Sequence, residues 1–463
     1  MSLSIADIAA RLQGYDPQAL SAAQVGEFLH HLVEPVTESE TVGIFDALGR
    51  VLAEDVVSPL SVPPHDNSAM DGFAFDGAAL QPGQPLVLRL VGTAYAGRAW
   101  QGTVGPGDCV KIMTGAIMPA GLDTVVPQEF TRTDTVDGHT QVHIPADVLR
   151  AGDNRRLCGE DLMQGSVALA RGTLLGPAAL GLLASLGLAQ VRVWRRLRVA
   201  YFSTGDEILS LGEPPREGAV YDSNRYTVFG LLTRLGVQVI DLGVVRDEPA
   251  QLEAAFRQAA AQADAIITSG GVSVGEADHT RTMMRALGDV AFWRIAMRPG
   301  RPMAVGRIAA SAMAAAAQTG LQAQSASEPA KSSTTSYQIN STLQPGGAVL
   351  FGLPGNPVAV MVTFLAFVRP ALLRMMGASA NTPPLLRATC TEALRKKPGR
   401  TEYQRGLVTT AADGTVQVCT TGNQGSGVLS SMVQANGLIV LHHAQGNVAP
   451  GDVVDVMMFD GVI

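Results

Sequence analysis

The sequence predicts a multidomain α/β protein built around a central, doubly wound and mainly parallel sheet domain, with β-rich domains before and after it. Three observations carry this reading. Between residues 191 and 376, short apolar strands alternate with helical stretches, the pattern of a parallel sheet covered on both faces. In 51–147 and again in 377–463, the texture changes to short apolar runs broken by Gly, Pro and polar turns. A chain of 463 residues also exceeds what one core serves, and its length suggests roughly three domains.

The elements follow in order. Residues 19–34, ALSAAQVGEFLHHLVE, carry apolar residues at helical spacing with Ser21 as N-cap. VVSPLSVPP, PLVLRLVGTAYAG, GDCVKIMTGA and DTVVPQEF read as strands and turns of a small β domain over 51–147. Residues 172–187 return to a helical pattern closed by Gly187. LRVAYFS (197–203) is a strand, and SNRYTVFGLLTRLG is a helix opened by Asp222 or Ser223 and closed by Gly236. VQVIDLGVV is the next strand, followed by a helix with Asp247 as cap and Pro249 in its first turn. ADAIITSGG, VAFWRIAM and AVLFGL (348–353) are three more strands, with a helix around 279–287 and another after PGNP running to about 376. The last 85 or so residues read as a compact β-barrel or sandwich. Segment 308–347, rich in Ala, Ser, Gln and Thr, has no means of building a core and reads as a low-complexity surface insertion.

Composition narrows the function. Hydrophobic content of 46% with 16% charged residues is that of a folded protein. A net charge of −7 argues against a nucleic-acid binder held by phosphate contacts, whereas a small anion responds to local charge. Cys109, Cys158, Cys390 and Cys419 are scattered and form no CxxC, as expected of a reducing compartment. The His30-His31 and His442-His443 doublets lack zinc-site spacing. No signal peptide and no window of about twenty apolar residues is evident, so we expect a cytoplasmic protein without a membrane partner.

Ligands of open α/β sheets bind outside the carboxyl ends of the strands. Those ends carry Ser203-Thr204-Gly205-Asp206-Glu207, Thr268 to Asp278 (TSGGVSVGEAD), Met297 to Pro302 (MRPGRP) and Leu353 to Pro357 (LPGNP). Glycine lets backbone N–H groups approach an anion, which suits a phosphate in the Gly270–Gly275 loop or the Gly355-Asn356 turn. Taken singly, either loop is equally readable as a tight turn. Asp206, Glu207, Glu276 and Asp278 would repel that phosphate, and Mg²⁺ held by Glu207 and Asp278 would resolve the conflict. Glu276 reads better as a backbone cap. Arg298 and Arg301 flank Pro299-Gly300 and offer two permanently charged forks to a tetrahedral oxyanion.

At these residues the chain resembles the molybdopterin molybdenumtransferase family, the MoeA proteins of bacteria and the E domain of gephyrin. Asn67 to Ala74 (NSAMDGFA) and Lys111 to Ala116 (KIMTGA) are similar to two motifs of the family's β domain, and Gly159-Glu160-Asp161 to its GED turn. STGDE, Asp222-Ser223-Asn224, TSGGVSVGEAD, RPGRP and GLPGNP match in order, as do Gly399 to Gly406 (GRTEYQRG) and Gln424 to Gly427 (QGSG).

The resemblance implies four domains: 1–50 with 148–190 as a discontinuous, elongated helical and mixed domain, 51–147 as the small β domain, 191–376 as the molybdopterin-binding domain, and 377–463 as a β-barrel-like domain. It implies a homodimer whose cleft joins the α/β domain of one subunit to the SAMDG domain of the other. The reaction it implies takes adenylylated molybdopterin and molybdate to molybdenum cofactor and AMP with Mg²⁺. The residues implied as catalytic are Asp71, Thr114, Glu207, Asp278, Arg298 and Arg301, with Glu207 and Asp278 at the metal. Implied for substrate are Asp161, Gly205, Asp206, Ser223, Asn224, Gly270, Gly271, Ser273, Gly275, Pro354, Gly355, Asn356, Pro357, Arg400, Arg405 and Ser426. Further partners it suggests are the molybdopterin adenylyltransferase and molybdoenzyme chaperones. Many members have lysines where Arg298 and Arg301 stand, and Ser where Ala359 stands. Two other readings remain, a molybdopterin adenylyltransferase and a partner-clustering scaffold.

Because long surface loops add little closure cost, deleting about residues 312–344 is expected to leave thermal unfolding and activity within error of the parent, as calorimetry and assay would show.

Overall fold

The computed structural model describes residues 3–272, 279–309, 347–379 and 384–459. Apart from its ends, the expected 308–347 insertion lies outside them. The central sheet has strands β1 (Arg198–Thr204), β2 (Gln238–Val245), β3 (Ala265–Ser269), β4 (Gly288–Arg294), β5 (Pro302–Ile308) and β6 (Ala348–Leu353) in the order β2-β1-β3-β6-β5-β4. The first four in that order are parallel. Strands β3 and β6 are buried along their whole length, which is why they read as unbroken apolar runs.

The sheet is mainly parallel, as expected, and among the described residues a single strand departs from the set. β5 runs antiparallel to β6, and β4 antiparallel to β5, so β4 again points with the parallel set. The sequence hid β5 behind Pro302 and Gly306, which read as breakers. Gly306 is in fact required there: a Cβ would sit 2.1 Å from the Asp289 carbonyl oxygen on β4.

Helices α1 (Ser223–Leu235), α2 (Pro249–Gln262), α3 (His279–Leu287) and α4 (Pro357–Met375) cover the sheet. Alternation along β1 sends Val199 and Tyr201 into one apolar layer with α1 and α4, and Ala200 and Phe202 into the other with α2. Asp222 caps α1 by accepting from the Arg225 N–H, and Gly236 closes it at φ +80°. For α2 the expectation fails, since Glu248 occupies the cap position and makes no side-chain cap bond. Helix α4 includes one π turn, Phe364–Val368. It is long and apolar enough to cross a membrane, but 78% of its apolar window is buried inside the molecule.

The remaining elements frame this domain. Helix Ala22–Leu32 opens on Ser21, whose Oγ accepts from Gln24 N–H while Gln24 Oε1 accepts from Ser21 N–H. It packs with an unanticipated helix, Ile5–Arg11, onto the central core, Phe28 meeting Trp293 edge-on at 4.8 Å. Ser39–Gly43 pairs with Gln190–Trp194, over a small core of Leu52, Leu175, Leu183 and Val193. The small β domain is a six-stranded sheet running from Gly72 to Ile144. At the C-terminus, Thr401–Thr410, Val416–Thr420, Leu386–Cys390, Val453–Met458 and Gly437–Leu441 pair in a ring. That closure makes it a barrel and not a sandwich.

At the amino ends of the central strands, Asp264 accepts from Arg195 Nη1 and Nη2 at 2.7 and 2.8 Å and from the Arg198 N–H at 2.8 Å. Burial pushes its carboxyl up, but the hydrogen bonds from Arg195 and Arg198 outweigh this and hold it below the usual carboxylate range. Asp264→Asn is expected to cost roughly 2–3 kcal/mol near neutral pH, since it leaves two arginines facing a neutral amide. A depressed native pKa stabilises above the unfolded value and is lost as pH falls through it. The gap between wild type and variant in denaturant unfolding should therefore close below about pH 4.

Candidate active site

The carboxyl ends of β1, β2, β3 and β6, the end of β4 and the start of β5 share one rim. Glycine is obligatory where the first loops touch. Gly270 has φ +94°, and a Cβ there would lie 2.4 Å from the Thr204 carbonyl oxygen; at Gly271, φ +64°, it would lie 2.4 Å from Thr280 Cβ. The Gly270 N–H donates to Leu353 O at 3.2 Å, tying the β3 loop to the end of β6. Gly205 turns at φ +143°, and exposed Glu207 folds back over it. Asp206 accepts from the Asp247 N–H at 3.3 Å, and Asp247 accepts from Thr280 Oγ1 at 3.0 Å. Asp247 is thus a rim residue that the sequence reading mistook for a helix cap. Its position at the end of a parallel strand was the signal. Ser273, Gly275, Glu276 and Asp278 lie outside the described residues.

The α4 side of the rim is built by contacts between distant segments. Asn224, in the first turn of α1 after Ser223, donates from Nδ2 to Gly355 O at 2.7 Å, and its buried Oδ1 has no hydrogen-bond partner. Pro354 is buried, Asn356 is the N-cap residue of α4 and Pro357 its first residue. The Val358 N–H donates to Ser426 O at 3.1 Å, docking the barrel's QGSG turn on the helix N-terminus. Exposed Arg298 and Arg301 flank Gly300, and Met297–Arg298 joins the barrel by parallel pairing with Thr401–Glu402.

The two barrel arginines already hold partners within the chain. Arg400 is spent on the buried Glu402 carboxylate, Nε to Oε1 at 2.8 Å. Arg405 is 1% exposed. Its Nε donates to Ser431 Oγ at 2.9 Å and its Nη2 to the carbonyls of Asn423 and Gly425 at 3.1 and 2.9 Å, so it shapes the turn bearing Ser426. No carboxylate among the described residues pairs with it. Burial, and then the charge of Arg298, bring its pKa down to about 10.

Asp71 and Thr114 sit together on the small β domain. Asp71 Oδ1 accepts from both the N–H and Oγ1 of Thr114 at 2.7 Å, which holds its carboxyl below the usual range. Asp161 is exposed, with its N–H donating to Val62 O at 3.1 Å. Within one chain, no described hydrogen bond or ion pair joins these three to the rim. No group of three or more His, Cys, Asp or Glu suited to a metal occurs among the described residues.

Residues 20–187 match the family described as "MoeA N-terminal region (domain I and II)", 200–374 "Probable molybdopterin binding domain", and 387–459 "MoeA C-terminal region (domain IV)". A molybdopterin molybdenumtransferase of Haemophilus influenzae is 38% identical over 428 residues, covering 92% of this chain and 95% of that protein. The chain belongs to the molybdopterin molybdenumtransferase family. A relative of the same name from Bacillus subtilis is 32% identical over 91% of this chain and 90% of its own length. The crystal structure of a molybdopterin biosynthesis MoeA protein from Pyrococcus horikoshii shares the fold, with a TM-score of 0.74 at 23% identity over 95% of this chain and 100% of that one.

For this family member, the rim depends on glycines that no side chain replaces. Gly270→Ala should destabilise by about 1–3 kcal/mol, from a strained φ and the clash with Thr204. Thermal unfolding and assay would show both stability and turnover reduced.

Proposed function

We propose that this molybdopterin molybdenumtransferase takes molybdenum from molybdate into adenylylated molybdopterin, releasing molybdenum cofactor and AMP, with Mg²⁺. Family membership and the relatives' shared name support the transferase reading of molybdenum cofactor synthesis. The observation that carries the oxyanion part is Arg405, a buried guanidinium with uncharged partners and a second arginine close by. Such a charge is costly until an anion neutralises it.

In this reading molybdate lies against Arg298 and Arg301, beside the Ser426 turn that Arg405 organises. The α4 N-terminus adds a favourable dipole, and the Gly270-Gly271 loop offers backbone N–H groups to a phosphate. Asp206, Glu207 and Asp247 make that end of the rim acidic, which suits a cation shared with substrate oxygens. Glu207 and Asp278 would hold Mg²⁺, which offsets phosphate charge when bound. Asp71 and Thr114 would complete the cleft from a second subunit, since their own domain makes no described bond to the rim.

Purified protein supplied with adenylylated molybdopterin, Mg²⁺ and molybdate is expected to release AMP in step with molybdenum cofactor. AMP-pterin accumulating from ATP and molybdopterin without molybdate would instead support an adenylyltransferase. Arg298→Ala should raise the molybdate concentration for half-maximal rate tenfold or more, from losing about 1.5–3 kcal/mol; an unchanged molybdate dependence would refute that role.

A further inference from the structure

Helix α4 carries one polar side chain in its buried middle. Thr363 is fully buried, and its Oγ1 has no hydrogen-bond partner. Its neighbours along the chain, Val360 to Val362 and Phe364 to Val368, are apolar and mostly buried. A hydroxyl in that setting opposes folding, and a valine of the same shape would avoid the cost.

What the hydroxyl faces is Gly300. A Cβ built on Gly300 would lie 2.4 Å from Thr363 Oγ1, and 3.5 Å from the carbonyl oxygen of Ala359 one turn earlier. The Cα of Gly300 thus packs against that oxygen, with no room for a side chain between them. An oxygen is smaller than a methyl group, so the loop comes closer than a valine would allow. Gly300 has φ +93° and stands between Arg298 and Arg301. The loop is pinned at its other edge, where Ile295 N–H donates to Arg301 O at 2.7 Å and Thr401 N–H to Ala296 O at 2.9 Å. At its middle, Thr363 is the seat.

We infer that Thr363 is a positioning residue for the oxyanion loop, its hydroxyl fixing Gly300 so that Arg298 and Arg301 hold molybdate together; this rests on the function proposed above. Thr363 touches no reactant itself. It acts through Gly300, and so it governs molybdate affinity more than turnover.

The test compares Thr363→Val, which keeps the shape and replaces oxygen by methyl, with Thr363→Ser, which keeps the oxygen. KM for molybdate, kcat, and the melting temperature of the full-length protein are measured for each. Thr363→Val is expected to raise the molybdate KM at least fivefold with kcat changed less than twofold, and Thr363→Ser to stay within twofold of wild type. Equal molybdate KM in wild type and Thr363→Val overturns the assignment while leaving the proposed function intact. So does a loss confined to melting temperature. Should Thr363→Val not fold, Thr363→Ala takes its place with the same expected KM shift, and an unshifted KM there overturns the assignment. A wild-type rate independent of molybdate would overturn the proposed function and this assignment with it.

Discussion

A buried guanidinium with no carboxylate partner among the described residues is the constraint around which this site is organised. Arg405 lies inside the barrel wall, where its donors meet a serine hydroxyl and two carbonyls. Those bonds define the 423–426 turn, and that turn reaches α4 through the Val358 N–H. One side chain therefore shapes the barrel turn and also places positive charge beneath the junction. Arg298, on the loop zipped to the same barrel strand, adds to that charge and lowers the pKa of Arg405. Burial removes the screening that water would provide, so the field is directed to whatever anion enters.

The rest of the architecture brings polar loops to this charge without spending it. β4 runs with the parallel set and β5 against it, so that the 295–301 loop between them lands on the same rim as the parallel strand ends. Glycines at 270, 271 and 300 allow contacts that a Cβ would forbid. Acidic groups collect at the opposite part of the rim, where Asp206 and Asp247 are joined through a backbone N–H. The separation of acidic and basic ends gives the rim a polarity suited to holding a cation-associated phosphate beside an oxyanion.

Much of this was legible in the sequence, for definable reasons. Strand-end loops rich in glycine announce a ligand rim because backbone approach needs the missing Cβ, and STGDE, TSGG, RPGRP and PGNP all lie where expected. Helix caps at Ser21 and Asp222 were readable because their chemistry is local. β5 was not, because Gly306 is selected by a neighbour far away in sequence, the backbone of Asp289. Asp247 was misread because an acid shortly before Pro249 fits a helix start as well as a strand end. The burial of Arg405 was not legible, because it follows from barrel closure between 401–410 and 437–441, which encloses its strand. Thr363 drew no notice, since a threonine in an apolar helix signals nothing until the loop that packs on it is known.

The central claim, that uncompensated arginine charge between the 298–301 loop and the Ser426 turn recruits a tetrahedral oxyanion, is most directly tested by anomalous diffraction from crystals of the full-length protein soaked in molybdate or tungstate. A heavy-atom peak within hydrogen-bonding reach of Arg298, Arg301 and Ser426 is the predicted result. Full occupancy at another place, with that junction empty, would contradict it.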